Sequence, residues 1–235
     1  MLDFFYIEDS KNLTFQGTGL IDGQGYWWWM REYLVLNHAG RPNLLSTERV
    51  QYVEISGIKW QNAPYYHLWL HDIDSFYIHD FEIYVDVFEQ KKLAQKHGFF
   101  DYGLNIPTFP LNTDGIDPYG TNVHIRNVNI TNFDDAVAVK PANGGHKIAT
   151  CSANILVEDC HVTYGVGMTI GSVPPNDHHA CVANVTFRNI HFTTPLKAIY
   201  VKSNPGNGGD GIIENILYEN ITMTNPVWWA IYIGP

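Results

Sequence analysis

The chain has 235 residues, enough for one large domain or two small ones, and 45% of them are apolar, which suffices for a packed core. Only 16% are charged and the formal net charge is -10, which argues against nucleic acid as the main partner. There is no apolar run of about 18 residues, so no helical membrane span is expected.

Twenty glycines, twelve prolines and many asparagines fit a turn-rich, all-β chain better than a helical one. The opening stretch from Met1 to Ile7 has no basic region and no small-residue cleavage site, so it does not read as a signal peptide. A short strand pattern with a polar lead appears at 12–15 and returns at 52–55 and 76–79. Between the first two copies, Gly17, Gly19, Gly23 and Gly25 read as turn residues. Their spacing does not match a dinucleotide fingerprint. Trp27, Trp28 and Trp29 read as core or edge packing, with sugar stacking as the other use of such rings. Residues 86–112 interrupt the pattern, and their charged stretch is expected to form a short helix or a lid loop.

Beyond this insertion the repeat is strong. Residues 122–130, 154–162, 184–192 and 215–223 share a short strand, an Asn or Asp corner and a second short strand. Their lead asparagines, Asn122, Asn154, Asn184 and Asn215, are 32, 30 and 31 residues apart. A second set follows in step at 136–140, 167–171, 198–202 and 230–234. Strands this short do not form stable isolated hairpins. Coiled into rungs, each backbone pairs with neighbours about 4.8 Å above and below, and inward Val, Ile and Phe form one core. The fold class expected is therefore all-β, a right-handed, single-stranded parallel β-helix: one domain over 1–235 with coils of about 30 residues from 113 onward. The pattern still runs at both ends, and bare terminal rungs need caps, so a natural protein longer at both termini is expected.

Carboxylates recur at the interval of a coil. Asp114 lies in the run 112–117, and Asp134 and Asp135 follow 20 and 21 residues later. One rung apart on one face, their oxygens would be separated by roughly the 6.5–9.5 Å of an inverting glycosidase. Neighbouring strand residues face opposite ways, so a bend is expected just before 136–140 if both members of the pair are to reach one site. Mutual repulsion should raise at least one of the three pKa values. An Asp pair at a turn is, by itself, more often a solvated or capping pair.

The run Asn112, Thr113, Asp114 and the later Asp134-Asp135 pair resemble, in order, two central motifs of the polygalacturonases of glycoside hydrolase family 28. Residues 19–28 resemble the start of that family's β-helix. The resemblance covers nearly the whole chain. It implies a secreted, extracellular, monomeric inverting hydrolase of α-1,4-galacturonosidic bonds in pectin, with no metal and no cofactor. It implies Asp134 as the acid that protonates the leaving oxygen, and Asp114 and Asp135 as the pair that activates water. Asn112 would orient substrate or its neighbouring carboxylates. Lys202 would pair with a uronate carboxylate, with Lys140 on the same face. Two motif positions differ. The family's Gly-His-Gly is here Gly165, Val166, Gly167, and its Arg-Ile-Lys is here Tyr200, Val201, Lys202. Valine offers no proton or hydrogen bond, and tyrosine offers no bidentate grip. A weakened enzyme, a changed specificity, or rescue by Lys197, His178 or His179 would follow. The alternatives are a rhamnogalacturonan or modified-pectin hydrolase and a non-catalytic carbohydrate-binding β-helix.

Three cysteines, Cys151, Cys160 and Cys181, leave open one disulfide with a spare thiol or a partner elsewhere. Sequons begin at Asn12, Asn129, Asn184 and Asn220, and each also reads as a turn or ladder asparagine.

Overall fold

The computed structural model describes residues 3–33, 40–98, 110–142, 145–175, 178–206 and 208–235. Its longer strands are β1 (Phe5–Gln16), β3 (Leu45–Ser56), β5 (Leu68–Tyr84), β6 (Ile116–Asn132), β8 (Ser152–Tyr164), β10 (His179–Thr193) and β12 (Asp210–Thr224). The shorter ones are β2 (Leu20–Asp22), β4 (Lys59–Gln61), β7 (Asp135–Val139), β9 (Gly167–Val173), β11 (Ile199–Ser203) and β13 (Ile231–Ile233). The strand pairs are parallel, as the repeat requires of a β-helix.

The long strands turn corners without leaving the ladder, and in the later coils asparagine is the main reason. Asn122, Asn154, Asn184 and Asn215 all have φ between 53° and 57°. Asn and Asp tolerate this left-handed region better than other side chains bearing a Cβ. Each asparagine then donates to the one on the previous coil: Asn154 to Asn122 at 3.2 Å, Asn184 to Asn154 at 3.4 Å and Asn215 to Asn184 at 3.1 Å. A second ladder joins Asn189 to Asp159 and Asn220 to Asn189. The sequons at Asn184 and Asn220 thus fall on ladder residues.

Leu45, Leu68, Ile116, Val137 and Met168 stack in register from coil to coil and are all buried. Each such side chain contributes roughly 1.5–3 kcal/mol by leaving water. Alternation sends the next residue of each rung outward: Trp69 pairs with Asp117, and Ala138, Thr169, Tyr200 and Tyr232 follow one another. This outward row is the face that carries the candidate site.

Two helices interrupt the coil. α1 (Tyr26–Tyr33) contains the three successive tryptophans; Trp29 is buried, with its Nε1 donating to Ala63 O at 3.0 Å, while Trp27 is exposed. α2 (Val87–Lys96) falls where the repeat breaks, and Asp86 caps it by accepting from Glu89 N at 2.9 Å. The remainder of that insertion, 99–109, lies outside the described residues. Cys151 and Cys181 form a disulfide between adjacent coils, and Cys160 is a buried free thiol pushed up to about 12 by burial. None of the described helices is long and apolar enough to cross a membrane.

Candidate active site

Two adjacent coils are knitted together around the carboxylates by residues of the motifs themselves. Thr113 Oγ1 donates to Pro110 O at 2.8 Å and accepts from Phe133 N at 3.2 Å. Asn132 Nδ2 donates to Thr113 O at 3.0 Å and to Asp135 O at 2.8 Å. Gly115 is required by close approach: a Cβ there would lie 2.3 Å from Ala136 O. On the preceding coil, buried His67 donates from its backbone N and from Nδ1 to the Asp114 carbonyl, at 3.0 and 2.9 Å. Burial pushes His67 down to about 4, so it stays neutral and serves as a support.

The bend expected before 136–140 is present at residues 133–134, and the register shifts between Asp135 and Val137. It brings Asp134 and Asp135 to one place with Asp114. One oxygen from each of the three carboxyl groups lies within 4.8 Å of the others. This is closer than the expected separation, and the bend with its register shift is the local departure from regular rung spacing that accompanies it. Three oxygens at this distance have the hard-ligand chemistry to hold a cation, but two ammonium groups already reach these carboxylates: Lys202 Nζ is 2.5 Å from Asp135 and Lys140 Nζ is 3.9 Å from Asp114.

The three groups are not equivalent. Asp135 is fully buried; it accepts from Thr169 Oγ1 at 2.6 Å and from Lys202. Asp134 is half-buried, and its two oxygens accept from Asn112 N at 2.8 Å and Asp135 N at 2.9 Å. Burial and the neighbouring Asp135 charge raise its pKa, against the pull of those two N–H groups. Asp114 is buried and raised well above the ordinary carboxylate range by burial first, then by Asp134 and Asp117. Its Oδ1 has no hydrogen-bond partner among the described residues. Asp114 and Asp134, close together and each beside further negative charge, therefore hold their protons more tightly than ordinary carboxylates, which makes an acid available at the site.

The other candidates fall around this cluster. Asn112 reaches Asp134 through its backbone, while its side-chain Oδ1 accepts from Arg41 at 2.8 Å. Lys140 lies 3.3 Å from Asp117. Tyr200 is buried, with its ring 5.1 Å from Lys202 Nζ. Val166 is one coil beyond Asp134, its N donating to Asp134 O at 2.8 Å. Lys197 lies one coil further on, beside Tyr200. His179 pairs instead with Asp210 at the start of β10. Trp228 and Trp229 are exposed and stacked on each other at 4.3 Å.

Arg41, His67, Asp117 and Thr169 were not legible as site residues. Asp117 sits within the motif run and at an outward strand position, which is a usable signal. Arg41 and His67 act across 71 and 47 residues, and no local pattern marks them. An aromatic file also borders the cluster: Tyr66 stacks on Trp69 at 4.9 Å, and Trp69 meets Tyr119 at 4.8 Å.

Residues 2–234 match the model of glycosyl hydrolases family 28. The chain is 29% identical over 219 residues to a polygalacturonase of Cryptomeria japonica, covering 90% of this chain and 36% of that protein. It is 28% identical over 202 residues to a probable rhamnogalacturonase E of Aspergillus flavus, covering 86% of this chain and 36% of that protein. The chain thus spans about a third of the length of these relatives. Among solved structures, a polygalacturonase from Erwinia carotovora superposes with a TM-score of 0.76 at 23% identity, covering 99% of this chain and 58% of that one. With its carboxylates on adjacent coils and nearly every residue inside the matched span, the chain belongs to glycosyl hydrolase family 28.

Proposed function

We propose that this chain cleaves α-1,4-galacturonosidic bonds of pectin by inverting hydrolysis. The observation that carries this reading is the meeting of Asp114, Asp134 and Asp135 oxygens within 4.8 Å, in a chain of family 28. Asp134 is the most exposed of the three and has a raised pKa, so it is assigned as the acid that gives its proton to the leaving glycosidic oxygen. As the bond from the anomeric carbon to that oxygen breaks, a water held by Asp114 and Asp135 bonds to the carbon and passes its proton to one of them. The expected inversion rests on the resemblance rather than on spacing. Proton NMR of the first-formed reducing end tests it directly. The disulfide and the family favour an oxidising, extracellular setting.

Release of reducing ends from polygalacturonate, compared between the wild type and Asp134→Asn, tests the assignment. A loss of about 10²–10⁴ in rate is expected for a proton-transfer partner; equal rates would overturn it. Tyr200 in place of the motif arginine favours a second reading, a rhamnogalacturonan or modified-pectin hydrolase. Side-by-side rates on the two polymers distinguish them. A protein that binds pectic oligomers but cleaves none would be the non-catalytic β-helix for which Val166 argues.

A further inference from the structure

Three lysines reach the candidate site, and two of them are already paired with protein carboxylates. Lys202 is engaged by Asp135 at 2.5 Å, and Lys140 by Asp117 at 3.3 Å and Asp114 at 3.9 Å. Lys197 differs. Its side chain is buried, with the residue 9% exposed, yet its ammonium has no hydrogen bond and no ion pair among the described residues. It lies instead in a box of aromatic rings: 3.7 Å from the centre of Tyr200, 4.3 Å from Tyr232 and 5.7 Å from Trp228. Trp228 is 56% exposed, so the box opens to solvent on that side. Three N–H donors are thus held within the electrostatic reach of Asp134 and Asp135, with no oxygen acceptor among the described residues.

We propose that Lys197 is the residue that receives a substrate carboxylate, a uronate group bound beside the scissile bond, and that Tyr200 and Tyr232 hold its ammonium in place for this. This inference rests on the uronate-polymer reading above. It moves the recognising charge from Lys202 to a neighbour five residues earlier. Lys202 and Lys197 flank the same Tyr200 ring, at 5.1 and 3.7 Å. The ammonium beside this ring supplies the cation that the missing motif arginine does not. The charged groups facing Lys197 are Lys202, Asp135 and Asp134. Burial and Lys202 lower its pKa, and an incoming carboxylate would oppose both effects.

The test is equilibrium binding of an unesterified oligogalacturonate, run separately from turnover, on the wild type, Lys197→Met and Lys197→Arg. Lys197→Met is expected to weaken binding about tenfold and to raise KM with little change in kcat. Lys197→Arg should restore most of the affinity, and a fully methyl-esterified oligomer should bind the wild type and Lys197→Met alike. Unchanged binding of the acid oligomer to Lys197→Met, or an equal loss for both oligomers, would overturn the proposal. Should Lys197→Met fail to fold, the ε-methylene NMR signal of Lys197 in the wild type decides. Ring currents should set it apart, and saturating oligogalacturonate should move it; a signal that stays put overturns the proposal. A wild type that binds the acid oligomer through Lys197 but cleaves nothing would sink only the hydrolysis reading. One that neither binds nor cleaves would sink both.

Discussion

Lys202 Nζ lies 2.5 Å from one oxygen of the fully buried Asp135, and the hydroxyl of Thr169 donates to the other at 2.6 Å. Removing the ammonium would leave a buried carboxylate without its counter-charge. Lys202→Met is expected to cost about 3 kcal/mol in urea unfolding. Asp135→Asn combined with Lys202→Met should recover part of that loss, because no unpaired charge remains. A single variant as stable as the wild type would show that the pair is not structural.

By the motif resemblance Val166 stands where the family has histidine, and its backbone N donates to the Asp134 carbonyl one coil away. Val166→His would restore a proton donor and acceptor beside Asp134. A rise in kcat of about tenfold or more is expected, since such partners commonly contribute 10²–10⁴-fold. No rise in single-turnover rate would mean that the site does not depend on that histidine.

Burial raises Asp117 from 3.8 to about 6, with Lys140 opposing the shift. A carboxyl raised in the folded state contributes stability that is present below the unfolded pKa and lost as pH rises through the folded one. Asp114 and Asp134 are raised too and act with the same sign. Melting temperature should therefore fall between pH 4 and 6, within the window set by the Asp117 values. Asp117→Asn should flatten that fall, and parallel curves for the two proteins would refute the assignment.

The disulfide closes a loop with a sequence separation of 30. Replacing Cys151 and Cys181 together by serine is expected to lower stability by about 3 kcal/mol. Dithiothreitol should lower the wild-type melting temperature to a similar extent. Cys160, buried and with its thiol pushed up to about 12, should not react with a thiol reagent until the chain unfolds.

The coil was legible in the sequence because its causes are local. An asparagine or aspartate at the corners of the later coils, alternating apolar residues in each rung and a period near 30 are written into neighbouring residues. They determine the parallel ladder without reference to distant parts of the chain. The order of Asp114, Asp134 and Asp135 was legible for the same reason, and so was the bend before β7. Only the tertiary structure decided what those side chains meet. Lys202 finds Asp135 across 67 residues, Arg41 finds Asn112 across 71, and the ammonium of Lys197 lies among rings from two coils. These pairings depend on how far each side chain reaches between stacked coils. A linear pattern records which residues share a face, but not which of them neutralise one another.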